Sequence, residues 1–165
     1  MGINTLEDLY IEQLKDLHSA NTQALEVTKD LAGAATDEDL IDALNAGADG
    51  IQKGIDVINT IAEGHDETSN GEHCKGMEGL VKEARAHAVD ETFGENATRD
   101  AMIITQYQRL VHYAIAGYGC LSAFADRLEL DSDVKALKEC LDASYEGDRT
   151  MTALATGGIN KEAVA

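Results

Sequence analysis

The sequence predicts an all-α protein, an antiparallel bundle of four long helices with one additional short helix. Three observations lead there. The 165 residues contain no proline, the strongest single breaker of helices. β-branched runs are few, so local preference runs toward helix rather than strand. Apolar residues recur at intervals of three and four along most of the chain, the period of an amphipathic helix. The length fits one domain with a continuous core, and because only 4% of residues are aromatic, aliphatic side chains and alanine must build it.

The elements follow in order. Thr5 can cap a first helix reaching Leu31, with Leu14, Leu17, Asn21, Ala24, Leu25, Thr28 and Leu31 on one face; Asn21 interrupts an apolar stripe. Thr36-Asp37-Glu38-Asp39 has the form of a capping box and opens a second helix ending near the turn-like stretch Gly64 to Gly71. A shorter helix from about Glu72 to Glu91 carries Met77, Leu80, Val81, Ala84 and Ala88 on one face. Thr98 can cap a fourth helix to about Leu128, apolar on two adjoining flanks and so fit for the interior. Asp131 or Ser132 can cap a fifth reaching Ala155, whose stripe is broken by Ser144 and Asp148. Residues 1–159 then form one domain, and 160–165 a tail expected to fray.

Thirteen Lys+Arg against 31 Asp+Glu give a formal net charge of -18. A surface so negative repels phosphate backbones and anionic headgroups, which argues against nucleic-acid and membrane partners. The N-terminus has neither the basic start nor the apolar run of a signal peptide, and no stretch approaches the ~20 apolar residues of a membrane span; a cytoplasmic location is expected. Cys74, Cys120 and Cys140 are odd in number and widely spaced, which favours reduced thiols over a disulfide framework or a zinc ribbon.

The second helix is the most informative. Its stripe of Ile41, Leu44, Ala48, Ile51, Ile55, Ile58 and Ala62 is core. One edge, about 100° away, is polar, with Asn45, Asp49, Gln52, Asp56 and Asn59. The other edge is Ala43, Gly47, Gly50 and Gly54. A glycine inside a helix costs roughly 1 kcal/mol relative to alanine, so this edge needs a reason: close approach of another helix, or a cleft for a ligand. Asp148 needs one too, because a carboxylate at a core position must be paired, hydrogen-bonded, metal-bound or protonated.

A dinuclear metal centre in such a bundle takes one Glu from each of two helices and Glu-x-x-His from each of the others. None of the five histidines has Glu three residues before it. The loop holding His65, Asp66, Glu67, Glu72, His73 and Cys74 could take an adventitious ion, and Glu83 with His87, one turn apart, reads as a surface pair. No nucleophile elbow, P-loop or dinucleotide fingerprint is present. Gly117-Tyr118-Gly119-Cys120 reads as a packing site with Cys120 as a small buried hydrophobe.

Several stretches resemble the ferritin-like family typified by the bacterial stress-associated proteins YciE and YciF. They are Thr5-Leu6-Glu7-Asp8-Leu9, Cys74-Lys75-Gly76-Met77-Glu78-Gly79-Leu80, Arg99-Asp100-Ala101, the longer His112-Tyr113-Ala114-Ile115-Ala116-Gly117-Tyr118-Gly119, and Leu137-Lys138-Glu139-Cys140-Leu141 followed by Asp148. The resemblance covers about residues 4 to 160. It implies a ferritin-like bundle, commonly dimeric, linked to stress responses, with an inferred dinuclear metal site. Position by position most implied ligands are replaced. The first-helix Glu falls at Asn21, the second-helix Glu-x-x-His at Asp49 to Gln52, two carboxylates at Val111 and Ala114, and the last-helix Glu at Ser144, while Asp148 is kept.

Three expectations follow. The first is a metal-free binding or structural homodimer with no cofactor and no enzymatic role, its protein or small-molecule partner unknown. The second is a reduced iron or manganese site drawing on Asp49, Gln52, His112 and Asp148. The third is a small-molecule cleft along Gly47, Gly50 and Gly54.

Overall fold

The computed structural model describes residues 2–164; Met1 and Ala165, the outer limits of the expected domain and tail, lie outside the described residues. Every regular element among the described residues is helical: α1 Leu6–Ala34, α2 Glu38–Gly64, α3 Lys75–Ala84, α4 Asn96–Arg127, α5 Asp131–Leu154 and the short α6 Asn160–Glu162. Single π-turns extend two of them, Arg85–Val89 after α3 and Ala155–Ile159 after α5.

Local chemistry sets the starts of the first two helices. The Thr5 hydroxyl accepts from the Asp8 amide at 3.0 Å while the Asp8 carboxylate accepts from the Thr5 amide at 3.0 Å, a reciprocal capping box. Asp37 caps α2 by accepting from the Leu40 amide at 2.9 Å. The other two long helices depart from expectation. α4 begins at Asn96 behind an extended Glu95, so Thr98 lies inside it rather than capping it. α5 begins at Asp131 behind Leu130, with neither Asp131 nor Ser132 as cap. Glu129, in the left-handed region at φ 61, reverses the chain there, and the Leu130 amide donates back to the Ala125 carbonyl at 3.0 Å. Asp131 and Asp133 still favour the positive end of α5 from its first turn. Ahead of the tail, the π-turn carries Ile159 into the core at 4% exposure, and the short α6 follows.

Buried carboxylate chemistry fixes how the helices run. Asp100, 2% exposed in the first turns of α4, accepts from the Thr36 amide (2.9 Å), the Thr36 hydroxyl (2.6 Å) and the Asp37 amide (3.0 Å). It clasps the α1–α2 link to the start of α4. At the opposite end, Asp133 accepts from the Tyr10 hydroxyl at 2.9 Å and meets His65 Nε2 at 2.8 Å. α4 therefore starts at the same end as α2, and the segment between them must travel the length of the molecule. It does so along α1: the Cys74 amide donates to Ser19 and Arg85 pairs with Asp30. Cys74 Sγ caps α3 by accepting from the Met77 amide at 3.4 Å, and Met77, Val81, Ala84 and Ala88 are buried as the sequence predicts.

The four long helices pack in a ring, α1 on α2 and α4, α5 on α2 and α4. Leu14, Leu17, Leu44, Ile58, Ile103 and Leu110 lie at its centre, each at most 2% exposed. Among the described residues no helix is long and apolar enough to cross a membrane.

Candidate functional site: a tyrosine-walled cavity between α2 and α5

The glycine edge of α2 turns toward α5, and two tyrosines of α4 reach it across the core. A Cβ at Gly47 would overlap the Tyr107 hydroxyl, and one at Gly54 would overlap the Tyr118 hydroxyl. Gly50, midway between them, has open space where its Cβ would be. The two readings of this edge are thus divided among its members: two glycines make room for phenol groups, and the third borders a void.

That void is a cavity of about 540 Å³ between α2 and α5. Gly47, Gly50, Gly54 and Ala43 line one wall, and Ala143, Ser144 and Gly147 the other. Small residues on both helices keep the seam from closing. The floor is Asn21 and Ala24 from α1 with Tyr107, Val111, Ala114 and Tyr118 from α4. Lys53, Glu139 and Glu146 stand at the exposed mouth, and no charged side chain lies on the floor.

Each polar group inside has a definite state. Asn21, 2% exposed, donates from Nδ2 to the Tyr118 hydroxyl at 2.8 Å. Burial, then the neighbouring Cys140 thiol, push the Tyr118 phenol above its ordinary range, while the Asn21 bond pulls it down. Burial likewise raises Cys140, against the pull of Tyr118. Tyr107 is 3% exposed, burial alone pushes its phenol up to about 12, and among the described residues no group takes its hydrogen bond. The phenols and the thiol are therefore protonated at neutral pH, and the floor of the cavity carries no charge.

The residues singled out from the sequence separate into two sets. Asn21, Val111, Ala114 and Ser144 all line the cavity with the three glycines, and Ser144 donates to the Cys140 carbonyl at 2.9 Å. Asp49 and Gln52 do not. They are exposed on the opposite edge of α2, and Gln52 donates to Asp56 at 3.0 Å. α5 docks on the glycine side, which leaves the polar edge to water. Asp148 is half-buried rather than buried; His112 Nε2 lies 3.0 Å away and Gln108 donates to it at 3.1 Å, on the surface between α4 and α5. The expected set Asp49, Gln52, His112 and Asp148 is thus not brought together: only the last two meet.

Measured against a dinuclear centre, this donor set does not fit. Such a centre needs about four carboxylates and two imidazoles converging at mid-depth, and among the described residues no three His, Cys, Asp or Glu side chains converge. The loop candidates diverge: His65 joins Asp133, His73 joins Glu78 at 2.8 Å, and Cys74 turns inward. Glu83 and His87 form the expected surface pair at 3.5 Å. Cys120 is exposed rather than a buried hydrophobe, whereas Gly117 packs on Leu17, where a Cβ would come within 2.8 Å of Cδ1.

In the sequence Tyr107 and Tyr118 fall within the two apolar flanks of the fourth helix. Their role was signalled by the glycines, since a large polar-tipped residue facing a helical glycine at the same level is what such a glycine accommodates.

Comparison with known proteins comes to the same fold. Residues 5–164 match a family described as Domain of unknown function (DUF892). Protein YciF of Escherichia coli (strain K12) is 34% identical over 164 residues, covering 99% of this chain and 98% of that protein. The crystal structure of the E. coli stress protein YciF superposes with a TM-score of 0.89 at 34% identity, covering 96% of this chain and 99% of that one. YcfI from Rhodopseudomonas palustris superposes with a TM-score of 0.85 at 29% identity, covering 91% and 94%.

Proposed function

The chain belongs to the DUF892 family, and from that membership we propose that it is a stress-associated, ferritin-like four-helix bundle that works without a di-metal centre, as a binding or structural homodimer rather than an enzyme. The carrying observation is the chemistry at mid-depth. Asn21, Gly50, Val111, Ala114 and Ser144 line the space between the helices, and none offers the carboxylate or imidazole that a bridged metal pair requires. The single long return between α2 and α4 supports the ferritin-like description, since one crossover is the mark of that bundle. The stress association rests on similarity to a protein described as the E. coli stress protein YciF.

Without like-charged ligands facing one another, the apo interior carries no electrostatic penalty, so the bundle needs no cation to be stable. His112 and Asp148 act here as a surface pair joining α4 to α5. Ferrous oxidation in air, followed with and without the protein, tests the reading. The rate with protein should equal that of buffer, and metal-dependent turnover would refute it. Sedimentation equilibrium tests the dimer: a monomer at all concentrations would remove that part.

A further inference from the structure

We propose that the α2–α5 cavity binds a neutral, mostly apolar small molecule whose oxygen accepts a hydrogen bond from the Tyr107 hydroxyl. The inference rests on the metal-free reading and extends it to a ligand class.

Two independent observations carry it. The first is space of the right kind. About 540 Å³ falls within the roughly 300–1,000 Å³ of small-molecule pockets, which are mainly apolar with a few polar groups that set orientation. The second is Tyr107. Its hydroxyl lies in a side chain 3% exposed, lines the cavity, and among the described residues lacks a hydrogen-bond partner. The hydroxyl is not sealed off: among the described residues the one water-excluded side-chain atom without a partner is Arg99 Nε, so the phenol opens on the cavity and can donate to whatever occupies it. A ligand oxygen in the cavity would satisfy it.

The surroundings narrow the class. Asn21, Ala24, Val111, Ala114 and Tyr118 on the floor carry no charge, so an ion would shed its water without compensation. Tyr107 remains protonated far above neutral pH, so it donates, and the complementary atom is a ketone, quinone, ester or ether oxygen. Length is bounded as well. The two phenol groups meet α2 at Gly47 and Gly54, seven residues and hence about 10 Å apart along the helix. A rigid molecule of about two fused rings spans that distance. A partner helix is excluded by width: at about 10 Å across it cannot enter between helices that still touch each other.

The test uses the full chain and the neutral fluorescent ketone 6-propionyl-2-(dimethylamino)naphthalene, whose emission moves to the blue in apolar surroundings. Saturable binding with a blue shift is expected. Gly50→Leu fills the void from a position whose Cβ meets nothing, and should weaken binding at least about tenfold with helicity and thermal midpoint retained. Tyr107→Phe should weaken the ketone about fivefold while leaving competition by naphthalene, which has no acceptor, unchanged. Absence of saturable binding, equal affinity in Gly50→Leu, or equal ketone affinity in Tyr107→Phe would each overturn the proposal. Iron and manganese content of the same samples separates the two failures: bound metal refutes the metal-free reading, whereas metal-free protein that ignores the probe refutes only the ligand.

Discussion

The α1–α4 seam and the α2–α5 seam join helix pairs of similar length, yet one is filled and the other is not. Across α1–α4, Leu17 presses on Gly117 and Asn21 donates to Tyr118, so a large residue meets a small one and a donor meets an acceptor. Across α2–α5, Ala43, Gly47 and Gly50 face Ala143, Ser144 and Gly147, so small meets small and a cavity remains. Large-on-small interdigitation closes an interface, while small-on-small closes only if the backbones approach, which the tyrosines of α4, seated on Gly47 and Gly54, prevent. The open seam is therefore maintained by the filled core behind it.

The largest effect on this contrast should appear at alkaline pH. Burial raises the Tyr107 phenol from 10.0 to about 12. The folded state holds that proton more tightly than the unfolded state. Ionising the phenol costs more in the folded than in the unfolded state, so stability holds below pH 10 and falls as pH rises through about 12, by about 3 kcal/mol in all. Denaturant titrations across that range should show a smaller loss for Tyr107→Phe than for the native chain. An equal loss would mean the phenol is not buried.

Next, Gly54→Ala puts a Cβ where the Tyr118 hydroxyl sits while Asn21 holds that hydroxyl. Thermal or denaturant unfolding should register a loss of about 2 kcal/mol. Tyr118→Phe leaves Asn21 Nδ2 buried without its acceptor and should cost about 1.5 kcal/mol. Tyr107→Phe removes a hydroxyl without a partner and should cost almost nothing at neutral pH. Were the two phenylalanine variants equally destabilised, the distinction between a matched and an unmatched phenol would fail. Smallest, Gly50→Ala relieves a helical glycine without a clash and should stabilise by about 0.5–1 kcal/mol. It acts on the same helix edge as Gly54→Ala with opposite sign.

Most of the fold was legible in the sequence because helical period and capping are local properties. Absence of proline, the stripe from Ile41 to Ala62, and the caps Thr5 and Asp37 all act within a few residues. Expectation failed where ends are set by distant contacts. Leu130 starts α5 without a side-chain cap because the reversal is made by the backbone at Glu129, and α4 starts behind Glu95 rather than at Thr98.

Half of the site was legible for the same reason. Asn21 stood out as a polar residue in an apolar stripe, and the three glycines as a costly edge. Which residue would meet each glycine depends on the facing helix, and no periodicity in α2 encodes it. Asp49 and Gln52 were placed by resemblance at an edge that α5 leaves to water. Cys120 was read from its neighbour Gly117, although three residues rotate a helix about 60° short of a full turn, enough to carry the thiol outward.

Elemental analysis tests the proposal of a metal-free core most directly. The protein would be purified without chelator or metal-affinity tag and measured before and after incubation with ferrous and manganous salts. Less than about a tenth of an atom per chain is expected in every sample, since among the described residues no three His, Cys, Asp or Glu side chains converge to hold such ions. About one or two atoms per chain, retained through gel filtration, would contradict it.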